Sequence, residues 1–146
     1  MEKTMIGDVT ITDANTKQTQ KTGALLDVVQ IGEDVVGKMI SLYYNDSDQK
    51  FYKTLATDIT KYKARAFSWD AGGLADDFIV VCYGGTIEVR AILTEKRRYM
   101  VSPTSGLWML DTGLASTHFP FQVGTAKSGT ELEIEFIDES EGIAIA

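Results

Sequence analysis

The chain is poor in the residues from which most catalytic, metal-binding and cross-linked domains are built. It has one cysteine, one histidine and two prolines in 146 residues. A lone cysteine excludes an internal disulfide framework. Cys82 lies inside the apolar run Phe78-Ile79-Val80-Val81-Cys82-Tyr83, where it reads as a small buried thiol suited to a reducing compartment rather than as a nucleophile. Neither a Cys/His metal site nor a Ser-His-Asp triad with a motif around its serine can be assembled, and His118, between Thr117 and Phe119, reads as a loop residue. No glycine loop follows a strand and opens a helix to cradle phosphate, and no long helix is predicted. Asp76 and Asp77 are adjacent carboxylates. In a strand they point to opposite faces and in a loop they are solvated, so neither arrangement sets up acid-base work. The oxygen-rich run Asn45-Asp46-Ser47-Asp48-Gln49 lacks the glycine and distant glutamate of a calcium loop, and reads as a hairpin turn.

Two further absences bear on partners. The N-terminus has no apolar signal region, and no stretch approaches the ~20 apolar residues of a membrane-spanning helix, so neither membrane nor secretion is expected. A net charge of -7 disfavours broad contact with nucleic acid, whose affinity comes from clustered Lys and Arg. The one basic cluster, Lys96-Arg97-Arg98, reads as a solvated turn or as a docking point for an acidic partner. The expectation is a protein with no catalytic residues, no cofactor and no metal.

What is present is strand after strand. The length suits one domain able to bury roughly 70% of its unfolded surface, and hydrophobic content is 44%. Residues 1–23 are polar and have little to bury beyond Val9 and Ile11, so they are expected to form an arm preceding a single β domain over 24–146. Strands are expected at 24–31, 38–44, 50–54, 63–69, 99–102, 107–110 and 119–126. The clearest is Glu131-Leu132-Glu133-Ile134-Glu135-Phe136-Ile137, in which acid and apolar residues alternate. Phe78 to Leu93 is expected to form a hairpin turning at Gly84-Gly85, with Phe78, Val80, Cys82, Ile87, Val89 and Ala91 on the core face. Its other face carries Ile79, Val81 and Tyr83, too apolar for free solvation, and calls for a second layer or a neighbouring subunit. Ile143 and Ile145, in the apolar terminal stretch, call for a similar cover. One pattern occurs twice, at 40–83 and again at 99–137: strand, polar turn, aromatic strand, polar connection, strand, glycine loop, strand. The expected fold is therefore all-β, a compact barrel or sandwich built from two similar halves.

Several segments carry a likeness. Asp48-Gln49-Lys50-Phe51-Tyr52-Lys53, Ala64 to Trp69, Ala71-Gly72-Gly73 and Phe78 to Val89 are followed by Arg98-Tyr99-Met100-Val101-Ser102-Pro103-Thr104-Ser105-Gly106-Leu107 and by Val123-Gly124-Thr125-Ala126. Together, over about residues 33–137, they resemble the small β-rich capsid decoration proteins of tailed bacteriophages. The resemblance implies a structural virion protein on the capsid exterior, made in the bacterial cytoplasm. It also implies binding to the major capsid protein through an N-terminal arm and assembly as a homo-oligomer, with a trimer favoured. On that reading residues 2–20 contact the shell, while Ile79, Val81, Tyr83, Val9, Ile11, Ile143 and Ile145 are candidate interface residues. The rival reading is a carbohydrate- or receptor-binding domain of a phage fibre or surface appendage, with Trp69, Trp108, Tyr43 and Tyr44 as exposed stacking platforms.

Overall fold

A computed structural model describes residues 9, 19–69, 72–89 and 91–140 of the chain. Among them, β-branched and aromatic runs separated by turn residues form eleven strands and no α-helix. They are β1 (Thr19–Gln30), β2 (Val35–Val36), β3 (Ser41–Asn45), β4 (Lys50–Lys53), β5 (Ala66–Ser68), β6 (Gly72–Gly73) and β7 (Phe78–Glu88). After these come β8 (Arg98–Val101), β9 (Trp108–Leu110), β10 (Phe121–Ala126) and β11 (Glu131–Asp138), with one 3-10 turn at Asp111–Gly113.

The internal echo in the sequence is an echo in topology. The long sheet runs β4-β3-β5-β7-β11-β10-β8-β9, so the first half (β4-β3-β5-β7) is repeated in mirror order by the second (β9-β8-β10-β11). The halves meet where their last strands pair, Leu132 opposite Ile87 and Ile134 opposite Gly85. Each half begins with a tight hairpin. In the first, the Asn45 side chain accepts the Ser47 N–H at 2.9 Å and the Ser47 hydroxyl at 2.6 Å, and Gln49 takes the left-handed φ of 61° that lets the chain return. In the second, the Ser102 hydroxyl accepts the Thr104 N–H at 2.9 Å, and Gly106 has a φ of 78°. A Cβ on Gly106 would lie 2.7 Å from the Ile40 side chain, so the turn needs glycine for space as well as for angle.

The expected hairpin at Gly84-Gly85 does not form. β7 runs unbroken through both glycines, and its partner is β1: Gln30 lies opposite Phe78, Val28 opposite Val80, Leu26 opposite Cys82 and Thr19 opposite Glu88. The glycines serve as a bend. The β1–β7 register slips between Thr22 and Leu25 and again between Leu25 and Leu26, and Gly85 takes a φ of 95°. A long strand available to pair along one whole edge of β7 outcompetes a local turn. β1 also starts at Thr19, so the last five residues of the predicted arm, 19–23, belong to a strand.

β7 is thus shared by both halves. One edge is lined by β1 throughout, while the other pairs β5 at Val81 and Cys82 and then β11 from Gly85 to Glu88. Past β1, Ile31 bridges Phe51 of β4 and brings the two ends of the run β1-β7-β5-β3-β4 together, curling the sheet into a half-barrel. Inside that curl lies a small core of Ile31, Val35, Leu42, Ala66, Ile79 and Val81, flanked by Val29, Ile40 and Phe51. Gly72 and Gly73 pair with Val36 and Val35 in a two-stranded ribbon beside it. On the opposite face of β7 lies the larger core, which includes Phe67, Trp69, Cys82, Ile87, Tyr99, Trp108, Phe121 and Leu132. Burying each such large side chain contributes about 1.5 to 3 kcal/mol. β11 follows its alternation, with Leu132 and Ile134 buried and Glu133 and Glu135 exposed.

Candidate interaction surface

The residues predicted for subunit contact fall in different places. Ile79 is 6% exposed and Val81 is 1% exposed, both in the small core, so the second layer that this face calls for is supplied by the chain itself. Ile79 presents almost no surface to a partner, and Val81 reaches the surface only in the lining of the depression described below. Tyr83, two residues further along β7, is 46% exposed. Val9 packs half-buried against the larger core, and its N–H donates to the Trp108 carbonyl at 2.8 Å. Ile11, Ile143 and Ile145 lie outside the described residues, as do residues 2–8 and 10–18 of the arm.

The exposed apolar surface lies instead on the ribbon made by β1 and the first half of β7. Side chains of directly paired residues share a face, so Leu26 joins Cys82, Val28 joins Val80 and Gln30 joins Phe78. Cys82 and Val80 turn into the larger core, but Leu26, Val28 and Phe78 are 41%, 59% and 68% exposed. They form a contiguous apolar strip at the margin of the body. Leu25 is also exposed, and its side chain fills the space that a Cβ on Gly84 would occupy, 3.1 Å from Cδ1. In the sequence Ala24-Leu25-Leu26-Asp27-Val28-Val29 reads simply as a strand. The available signal was that five of these six residues are apolar, which leaves a strand of one ribbon with no polar face to give to water.

On the other face of the same ribbon is a depression of about 200 Å³ lined by Asp27, Val29, Phe51, Arg65, Ala66, Val81 and Tyr83. Its floor is apolar, and the rims carry opposite charges at Asp27 and Arg65. Asp27 accepts the Val28 N–H at 2.7 Å, and the Arg65 guanidinium lies over the Tyr44 ring at 5.5 Å.

The aromatic candidates for saccharide stacking are mostly interior. Trp69 is 7% exposed, Tyr43 is 9% and Trp108 is 1%; Tyr44 is half-buried beneath Arg65. Trp108 packs between Phe67 and Tyr99, with ring centroids at 5.4 Å and 5.5 Å, and its Nε1–H donates to the Met39 carbonyl at 2.9 Å.

The titratable groups tie loops together. The Tyr52 hydroxyl donates to the Asp48 carboxylate, an interaction that pushes the Tyr52 pKa up to about 12. Lys50 pairs with Asp76 at 2.7 Å, and that hydrogen bond raises the lysine. Asp77 accepts the Leu74 N–H at 2.9 Å, so the adjacent carboxylates Asp76 and Asp77 belong to separate loop contacts. Of the basic cluster, Arg97 pairs with Asp111 at 2.6 Å and Arg98 with Glu139, which leaves Lys96 as its exposed member. Burial raises the Cys82 thiol and lowers His118, whose Nδ1 accepts the Ala115 N–H at 3.1 Å. Burial opposes ionisation of Asp138, yet hydrogen bonds from Ser140 and Tyr62, with Lys63 nearby, hold it below the usual carboxylate range. Among the described residues no group of three or more His, Cys, Asp or Glu side chains is placed to hold a metal ion, and no helix is long and apolar enough to cross a membrane.

Compared with known proteins, the chain matches no family model, no curated protein and no solved structure.

Proposed function

We propose that this chain is a structural virion protein that decorates the outer surface of a phage capsid and stabilises the shell. It binds the major capsid protein and assembles with copies of itself, a trimer being the favoured state, and it performs no catalysis. The observation that carries the reading is the strip formed by Leu26, Val28 and Phe78, at 41%, 59% and 68% exposure on the two-strand ribbon of β1 and β7. Apolar surface gathered in this way on an ordered sheet is characteristic of a face completed by another protein. The saccharide-binding reading loses three of its four rings to the interior.

The test is co-sedimentation with emptied phage shells and a count of copies bound per shell. The expected result is saturable binding at a fixed copy number, abolished by Val28→Asp or Phe78→Asp. Both side chains are mostly solvent-facing, so each variant should keep its fold within about 0.5 kcal/mol. Absence of binding to any shell of the phage that encodes the chain, or binding indifferent to both variants, defeats the proposal.

A further inference from the structure

The depression between Asp27 and Arg65 has a complementary feature elsewhere on the same chain. Beyond the end of β7, Ala91 and Leu93 are buried at 4% and 5%, while Ile92 between them is 84% exposed, above any other large apolar residue described. The segment is held in place: the Leu93 N–H donates to the Gly129 carbonyl at 2.8 Å, and the Lys96 N–H to the Ala126 carbonyl at 2.7 Å. Glu95 and Lys96 are exposed beside Ile92, and Lys96 takes a left-handed φ of 67°. Within the described residues neither has an ion-pair partner, and the same holds for Asp27 and Arg65. The loop therefore offers an apolar knob with a carboxylate and an ammonium beside it. The depression offers an apolar floor with a guanidinium and a carboxylate on its rims.

The two features cannot meet within one chain. Tyr83 lines the depression and β7 continues to Glu88, paired with β1 to its end. At ~3.3 Å per residue that is roughly 16 Å of strand before the loop begins.

We infer that the depression receives the 91–96 loop of a second copy, with Ile92 on the apolar floor, Glu95 facing Arg65 and Lys96 facing Asp27. The contact joins two different surfaces of the same chain, so it is heterologous: each copy gives one loop and takes one, which is the arrangement a closed trimer requires. The knob is held by its own backbone bonds before it docks, which lowers the ordering cost of association. Opposite charges at the rims fix the direction of insertion and disfavour a reversed loop. This deepens the self-assembly part of the proposed function and is independent of what the Leu26, Val28 and Phe78 strip contacts.

The test is sedimentation equilibrium of the full chain and four variants, with circular dichroism as a check of fold. Ile92→Asp should weaken self-association roughly 30-fold or more, as loss of a central apolar anchor does. Arg65→Glu and Glu95→Arg should each weaken it about five- to tenfold, and the double variant Arg65→Glu/Glu95→Arg should recover most of the loss, because the pair is restored with its signs exchanged. All three positions are exposed, so the fold should persist. A chain that stays monomeric at every concentration overturns the inference, as does a double variant no better than the worse single one. Shell binding by a monomeric wild-type chain overturns it, together with the self-assembly part of the proposed function, while sparing the shell-binding part. Association that follows the charge-swap pattern, with no shell binding, supports the inference and defeats the proposed function.

Discussion

Replacing Trp108 by Phe separates a structural tie from a binding platform. At 1% exposure, the indole fills space between Phe67 and Tyr99, and its Nε1–H is donated to the carbonyl of Met39, itself buried at 1%. Phenylalanine keeps a ring but removes the donor, and a buried acceptor that loses its partner costs about 1 to 3 kcal/mol. The smaller ring leaves an unfilled volume of order 40 Å³, which at ~24 cal/mol per Å³ costs about 1 kcal/mol more. The sum, about 2 to 4 kcal/mol, is a large share of the roughly 7 to 20 kcal/mol expected for a chain of this length. In urea unfolding followed by far-ultraviolet circular dichroism, the midpoint should fall with the slope unchanged. The melting temperature should drop by about 5 to 12 °C. An exposed stacking ring would give a change within about 0.5 kcal/mol, and that result would refute the placement of Trp108 as the tie between the Met39 segment and the larger core.

Two other outcomes follow from the fold. His118 has its pKa lowered from 6.5 by burial, so above that pH it is neutral in both states and contributes nothing. As pH falls through 6.5 the unfolded chain takes up a proton that the folded chain resists, and stability declines by at most about 1.4 kcal/mol per pH unit until the folded-state pKa is reached. His118→Asn should flatten the stability profile between pH 6.5 and 5, measured by denaturant midpoints; an unchanged slope contradicts the burial argument. The pairing of β1 with β7 makes Leu26 the neighbour of Cys82, so Leu26→Cys should form a disulfide on oxidation and lose its free thiols in a titration. Ile87→Cys, which would face Cys82 if Gly84 and Gly85 made a hairpin, should keep both thiols.

Much of the body was legible because local chemistry and long-range pairing agree there. Asn45 to Gln49 carries its own turn-forming side chains, so β3 and β4 could be placed within a few residues, as could β8 and β9 around Pro103 to Gly106. The acid and apolar alternation of β11 specified its buried face without reference to any partner. The doubled pattern pointed to two similar halves, and each half pairs mostly within itself; the order of strands within a half was not legible.

Where local and distant signals conflicted, the distant ones won. Two adjacent glycines favour a turn and tolerate a bend almost equally, and the choice between them rests on β1, more than fifty residues earlier, which can cover β7 from Phe78 to Glu88. That same pairing curls the sheet and encloses Ile79 and Val81, so two predicted contact residues became interior. It leaves Leu26, Val28 and Phe78 outside, a consequence of ribbon position that a strand's own sequence does not encode. The tryptophans read ambiguously for a similar reason, since an indole serves equally well as platform or core until its neighbours are known.

The most direct measurement is hydroxyl-radical footprinting of the protein free and bound to emptied shells, read by mass spectrometry at Leu26, Val28 and Phe78. If the strip is the shell-facing surface, all three should lose most of their labelling on binding, while Ile59, 67% exposed on the loop between β4 and β5, keeps its own. Equal labelling of the three residues in bound and free protein would contradict the claim that another protein completes this face.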